Sequence, residues 1–168
     1  MHILGVTGWS GSGKTTLLTA ILPLFVAAGL RVSTVKHTHH GFDLDQPGKD
    51  SWRHRAAGAH EVMIASGQRW AVLHELAGAP EPSLAELVAR LDPVDLVLVE
   101  GFKANPHPKI EVHRPSLGHA PIWPGREDVV AVACDATPAR CDRPLLPLND
   151  PVAVVAWTRQ FLLADGES

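Results

Sequence analysis

Gly8-Trp9-Ser10-Gly11-Ser12-Gly13-Lys14-Thr15 fits the pattern G-x-x-x-x-G-K-[ST], and the residues on either side of it decide the fold. Upstream, Ile3-Leu4-Gly5-Val6-Thr7 is an apolar run that reads as a buried strand over residues 2–7. Downstream, Thr16-Leu17-Leu18-Thr19-Ala20-Ile21-Leu22 opens a helix. The helix is expected to reach Ala28, bend at Pro23 and stop at Gly29. Strand, glycine-rich loop and helix in that order make a phosphate-binding P-loop. The glycines let successive N–H groups turn inward around a polyphosphate, and the helix N-terminus adds partial positive charge there. In such a loop Lys14 reaches the β- and γ-phosphates and the Thr15 hydroxyl ligates Mg²⁺.

Arg31-Val32-Ser33-Thr34-Val35-Lys36 is a second strand, and strand, helix, strand gives a right-handed parallel unit. Residues 37–50 read as a functional loop dense in ionisable groups. A short helix is expected from Ser51 to Gly58. Glu61-Val62-Met63-Ile64-Ala65 and Trp70-Ala71-Val72-Leu73-His74 read as paired strands, either a hairpin or an edge addition to the sheet. A helix begins at Ser83, with Glu86 placed for a capping box and an apolar face of Leu84, Leu87, Val88 and Leu91. Leu96-Val97-Leu98-Val99, ending in Glu100, reads as a central strand buried on both faces. Lys109-Ile110-Glu111-Val112-His113 alternates as an exposed strand would, and Val129-Val130-Ala131-Val132-Ala133 is buried. Residues 115–128 read as the longest irregular loop. Pro151 starts the last helix and the tail from Ala164 is expected to fray. The sum is an α/β, doubly wound, mostly parallel sheet of the P-loop NTPase type, with a short added hairpin or edge strands.

The length of 168 residues suits one nucleotide-binding domain spanning 1–168. Apolar residues at 45% and charged residues at 20% mark a globular chain. A net charge of −3 stands against broad electrostatic binding to nucleic acid or anionic membrane. No apolar stretch is long enough to span a bilayer and no signal peptide is evident, so the cytoplasm is the expected location. Cys134 and Cys141 lack the spacing of a zinc or redox motif and are expected to be free thiols.

Ligands of open α/β sheets collect at the carboxyl ends of the strands. That rule gathers the P-loop, the histidine-rich loop, Glu100-Gly101-Phe102-Lys103 and Cys134-Asp135-Ala136-Thr137 on one rim. Glu100 is the candidate Walker B acid beside Mg²⁺, and Lys103 either pairs with it or neutralises phosphate. Asp45 and Asp50 are candidate carboxylates for the Mg²⁺ shell beside Thr15, and Lys36 is a further phosphate contact. His37, His39 and His40 have ligand chemistry without a zinc spacing. Arg53 and Arg55 are alternatives between a phosphate contact and a solvated helix face. Trp9 is expected to be exposed near the ligand and the other tryptophans to be core. No N-K-x-D motif reads guanine. Asp135 is the candidate base-reading carboxylate, with Asn149 and Asp150 as the second choice or as helix caps.

Lys36-His37-Thr38-His39-His40, Asp45-Gln46-Pro47-Gly48-Lys49-Asp50-Ser51, Ala57-Gly58-Ala59, Glu100-Gly101-Phe102-Lys103 and the later Asn149-Asp150 follow the P-loop in order. In that combination the chain resembles the MobB family of molybdopterin-guanine dinucleotide biosynthesis adapter proteins over nearly its whole length. The resemblance implies a homodimeric protein that binds GTP with Mg²⁺ and hydrolyses it feebly. It implies a partner, the guanylyltransferase that joins GMP to molybdopterin, with molybdopterin itself a candidate ligand. Carried onto this sequence, Gly8, Gly11, Gly13, Lys14, Thr15 and Thr16 hold the phosphates and Mg²⁺, and Glu100 falls at the family's Walker B position. Ser12 completes the phosphate loop, Asp135 and Asp45 stay positional candidates for the base and the metal, and Lys14 and Glu100 are the catalytic candidates. The P-loop alone also admits a small-molecule kinase using ATP, or a metal-insertion GTPase.

Overall fold

The structure, a computed structural model, describes residues 1–38 and 41–165. His39 and His40 of the histidine cluster, and the last residues of the expected frayed tail, lie outside the described residues. The chain divides into two compact units, Met1–His37 with Leu84–Ser168, and Thr38–Ser83.

The first unit is built on a parallel sheet. Its strands are β1 (His2–Thr7), β2 (Val32–Lys36), β5 (Leu96–Glu100), β6 (Lys109–His113), β7 (Val129–Cys134) and β8 (Leu145–Pro147), in spatial order β2-β5-β1-β6-β7-β8. Side chains alternate across the sheet, as a period of two requires. Leu96 and Leu98 of β5 join Leu4 and Val6 of β1 on one face. There they pack under α1 (Lys14–Ala27) and α4 (Pro151–Asp165), through Leu17, Ile21, Phe25, Val154 and Val155. Val97 and Val99 face the other way, onto Leu84 and Val88 of α3 (Leu84–Val88) and onto Phe102. Helices on both faces make the doubly wound sheet expected from the sequence, and β5 is the two-sided buried strand its apolar run implied. Pro23 lies inside α1, which runs through it to Ala27.

The expectation of an exposed sixth strand is wrong. β6 lies between β1 and β7, and all of its residues are buried. Ile110 and Val112 join the core under α1 and α4. The polar set Lys109, Glu111 and His113 is buried on the opposite face, each with a fixed partner. Lys109 Nζ donates to the His107 carbonyl at 3.0 Å and to Asp128 at 2.6 Å. The Glu111 carboxylate accepts from the Ile122 and Trp123 amides at 2.8–3.0 Å. His113 Nδ1 stands 3.8 Å from Glu111, and its ring meets Trp123 edge-on. Satisfied polar groups can be buried where unpaired ones cannot, so alternation here marks two kinds of burial. The segment 115–128, which supplies Ile122, Trp123 and Asp128, starts with a 3₁₀ turn, Pro115–Leu117.

β8 has no counterpart in the sequence reading. It is three residues long, follows Pro144 and ends in Pro147, and it pairs only with β7 at the sheet edge, where proline is tolerated. Pro151 begins α4, and Asp150 caps it by accepting from the Ala153 amide at 3.0 Å. Both cysteines are free thiols.

The second unit holds α2 (Asp50–Ala56) and an antiparallel hairpin of β3 (Glu61–Ala65) and β4 (Trp70–His74) that forms a sheet of its own. Met63 lies opposite Val72, and Ala65 opposite Trp70. Trp70 is 65% exposed, so the expectation that the tryptophans beyond Trp9 are core fails there, while Trp123 is buried.

Candidate nucleotide-binding site

β1 ends at Thr7 and α1 begins at Lys14, and the loop between them is wound through glycines at positive φ: Gly8 (143°), Gly11 (76°) and Gly13 (100°). At Gly8 an added Cβ would stand 2.6 Å from the Val112 carbonyl oxygen of β6, so the loop can sit this low only without a side chain. Ser12 is buried, and its Oγ has no hydrogen-bond partner among the described residues. A glycine-wound loop at a helix N-terminus, with a buried hydroxyl that has no partner among the described residues, fits a polyanion.

Lys14 Nζ donates to the Trp9 carbonyl at 2.9 Å, folded over its own loop. Burial pulls the Lys14 ammonium below its usual range; Glu100 opposes this, and the positive charges of Lys103 and Lys36 add to it. Three lysines thus act on one small volume. The Thr15 hydroxyl donates to Glu100 Oε1 at 2.9 Å, and Lys36 Nζ stands 3.6 Å from Glu100 Oε2. Thr15 and Glu100, separated by 85 positions, meet because β5 is hydrogen-bonded beside β1 in parallel register, Val6 opposite Glu100. Hydroxyl and carboxylate together are the donor set a hard divalent cation takes, with water completing its shell. Beyond Glu100 the chain turns sharply through Gly101 and Phe102, both at positive φ, and the Phe102 ring lies against His37 with centroids 4.6 Å apart. A non-glycine residue held there is the kind of backbone strain that gathers at functional sites.

Trp9 is partly exposed at the loop crest. Its indole N–H donates to the Ala120 carbonyl at 2.7 Å, His119 stacks on it, and Lys103 Nζ lies 5.1 Å from its ring centroid. Asp135 follows β7 and is paired with Arg114, whose Nε also donates to the Ser12 carbonyl at 2.9 Å. Arg114 thereby ties the P-loop to the end of β7. It escaped the sequence reading because it follows a strand misread as exposed. Thr16 is exposed on the first turn of α1.

Asp45 belongs to the second unit. Its Oδ1 accepts from the Ser51 hydroxyl at 2.8 Å and the Gln46 amide at 2.9 Å, and its Oδ2 is buried without a partner among the described residues. Asp50 opens α2. Arg55 is engaged with Asp43 at 2.5 Å and Glu75 at 3.3 Å, while Arg53 is exposed. Among the described residues no group of three or more His, Cys, Asp or Glu converges as a metal cluster would. No helix among them is long and apolar enough to cross a membrane.

A doubly wound parallel sheet with a glycine-wound loop, a lysine at the start of the following helix and a threonine–carboxylate pair defines a P-loop nucleotide-binding fold. Residues 3–135 match the family described as MobB, molybdopterin guanine dinucleotide synthesis protein B. The chain is 47% identical over 150 residues to the molybdopterin-guanine dinucleotide biosynthesis adapter protein of Haemophilus influenzae, covering 88% of this chain and 82% of that one. Its identity to the Escherichia coli adapter protein of the same name is 45% over 166 residues, 94% of both chains. Among solved structures, Bacillus subtilis MobB superposes with a TM-score of 0.73 at 26% identity, covering 95% of this chain and 98% of that one. The MobB homologue of Bacillus stearothermophilus gives 0.69 at 25%, covering 98% and 99%. The chain belongs to the MobB family.

Proposed function

We propose that this protein is a GTP-binding adapter for the attachment of GMP to molybdopterin, working in the cytoplasm as a homodimer beside the guanylyltransferase, with molybdopterin a candidate ligand. The observation that carries the reading is the Thr15–Glu100 hydrogen bond at 2.9 Å at the foot of a P-loop that carries Lys14 and a buried Ser12 hydroxyl with no partner among the described residues. Names of relatives 45–47% identical to this chain supply the pathway. In this reading Gly8, Gly11, Ser12, Gly13, Lys14, Thr15 and Thr16 hold the triphosphate. Thr15 and Glu100 hold Mg²⁺. Bound Mg²⁺ supplies charge neutralisation between the phosphates. Lys14 leaves the Trp9 carbonyl to meet the phosphates, and Lys36 and Lys103 add positive charge around them. Exposed Met63, Trp70 and Val72 on the hairpin offer apolar surface suited to self-association.

A single experiment tests the reading. Titration calorimetry with Mg·GTP should give a clear binding isotherm for the wild type and at least about a tenfold weaker one for Lys14→Ala with an unchanged circular dichroism spectrum. Turnover of the bound GTP should stay below about 1 s⁻¹, because Arg114, the guanidinium beside the loop, is already held by Asp135 and Ser12. Undiminished affinity in a folded Lys14→Ala protein, or kinase-like turnover, would sink it. No observation favours a small-molecule kinase or a metal-insertion GTPase.

A further inference from the structure

A cleft of about 230 Å³ opens beside the first turns of α1, immediately past the P-loop. Leu17, Leu148 and Pro151 wall it, and Thr16, Arg114 and Asn149 supply its polar atoms. It falls below the roughly 300–1,000 Å³ typical of sites for drug-sized ligands, so it suits a single heterocycle. Its place follows from topology. α1 carries the P-loop at its N-terminus, and the turn between β8 and α4 brings Leu148, Asn149 and Pro151 against the same helix. Gly13 and Thr16, on either side of Lys14 and Thr15, both line this cleft, so it is continuous with the P-loop.

The polar groups divide into those already engaged and those left over. Asp150 caps α4, and Asp135 is held by Arg114. Arg114 uses Nε on the Ser12 carbonyl and Nη1 on Asp135, which leaves Nη2 without a hydrogen bond among the described residues. That nitrogen lies 3.6 Å from where a Cβ on Gly13 would stand, so the guanidinium is pinned flat against the loop. The Asn149 side chain is exposed and makes no hydrogen bond among the described residues. The cleft therefore presents apolar walls, a fixed cationic N–H donor and a free amide.

We propose that this cleft is the nucleobase subsite, and that Asn149 and Arg114 select guanine by donating to its O6 and N7. The proposal rests on the nucleotide-binding reading above. Guanine offers two acceptors on that edge, whereas adenine puts an amino donor at the O6 position, against the Arg114 N–H. Leu17, Leu148 and Pro151 pack on the ring faces. Arg114 is fixed in advance by Ser12 and Asp135, so an adenine amino group would meet a donor that is not free to turn away.

The test is calorimetric titration of the full chain with Mg²⁺ complexes of GTP, ATP and inorganic tripolyphosphate, on wild type, Asn149→Ala and Ala20→Trp. The second variant fills the cleft from the α1 side, where Ala20 lines it. Wild type should bind GTP more tightly than ATP or tripolyphosphate. Asn149→Ala should weaken GTP by about tenfold and abolish the preference over ATP. Ala20→Trp should reduce GTP affinity to that of tripolyphosphate. Both variants should bind tripolyphosphate as wild type does, which also shows that the loop is folded. Wild-type GTP affinity and preference in both variants would overturn the subsite. If wild type bound neither tripolyphosphate nor GTP, the P-loop reading would fail first and the subsite with it, an outcome distinct from tripolyphosphate binding with no gain from the base.

Discussion

At Gly8 the backbone sits at φ 143°, with the Val112 carbonyl where a side chain would begin. The contact is with backbone of the adjacent strand, so it cannot be relieved by a rotamer change. Gly8→Ala should lower unfolding stability by about 1–3 kcal/mol and should weaken tripolyphosphate binding, because lifting the loop misaims its amides. Urea denaturation and calorimetry on the same protein check both, and an alanine variant as stable and as tight as wild type would contradict the account. The residues Gly8 to Thr15 were legible because their spacing encodes backbone conformation directly. Glu100 was legible from its place at a strand end. Arg114 was not, since its two partners, Ser12 and Asp135, lie 102 positions before it and 21 after it. Nor did anything local tell that Asp135 would already hold a guanidinium.

Among the elements, β6 shows where pattern reading stops. Its alternation is genuine, but the polar side is covered by segment 115–128, and only the folded partners of Lys109 and Glu111 reveal that. Strands β1, β5 and β7 were legible because unbroken apolar runs admit one environment. Just before β6, His107 pays for its burial: neither ring nitrogen has a hydrogen-bond partner among the described residues, and the ring packs against Gly5. Burial, reinforced by the Lys109 charge, lowers its pKa from 6.5 to about 4. The unfolded imidazole therefore takes up a proton near pH 6.5, and the folded one resists until about 4. Stability should fall as pH drops through that window, by about 2 kcal/mol from pH 6.5 to 5. Asp128, held below the usual carboxylate range chiefly by Arg126 and then by Lys109, adds its own loss only below its unfolded pKa of 3.8. His107→Phe should flatten the slope between pH 6.5 and 5 in urea midpoints; an identical slope in the variant would mean that other groups carry it.

For the whole molecule, the two units differ in what secures them. Unit Met1–His37 with Leu84–Ser168 has a sheet buried on both faces, and Leu96, Val97, Leu98 and Val99 of β5 are all at most 1% exposed. Unit Thr38–Ser83 has a two-stranded hairpin and a helix, α2, with no buried residue, and Val62 is the hairpin's buried apolar side chain. Two strands and one anchor are marginal by themselves, so opening of the hairpin costs less than global unfolding. Native-state hydrogen exchange at low protein concentration should show β3 and β4 amides exchanging through a low-energy opening, insensitive to denaturant. β1 and β5 amides should exchange only with the global, denaturant-dependent transition. Equal protection in both sets would mean that the hairpin is fixed as firmly as the sheet. Hairpin protection that rises with protein concentration, while β5 stays constant, would place self-association on the face carrying Met63, Trp70 and Val72.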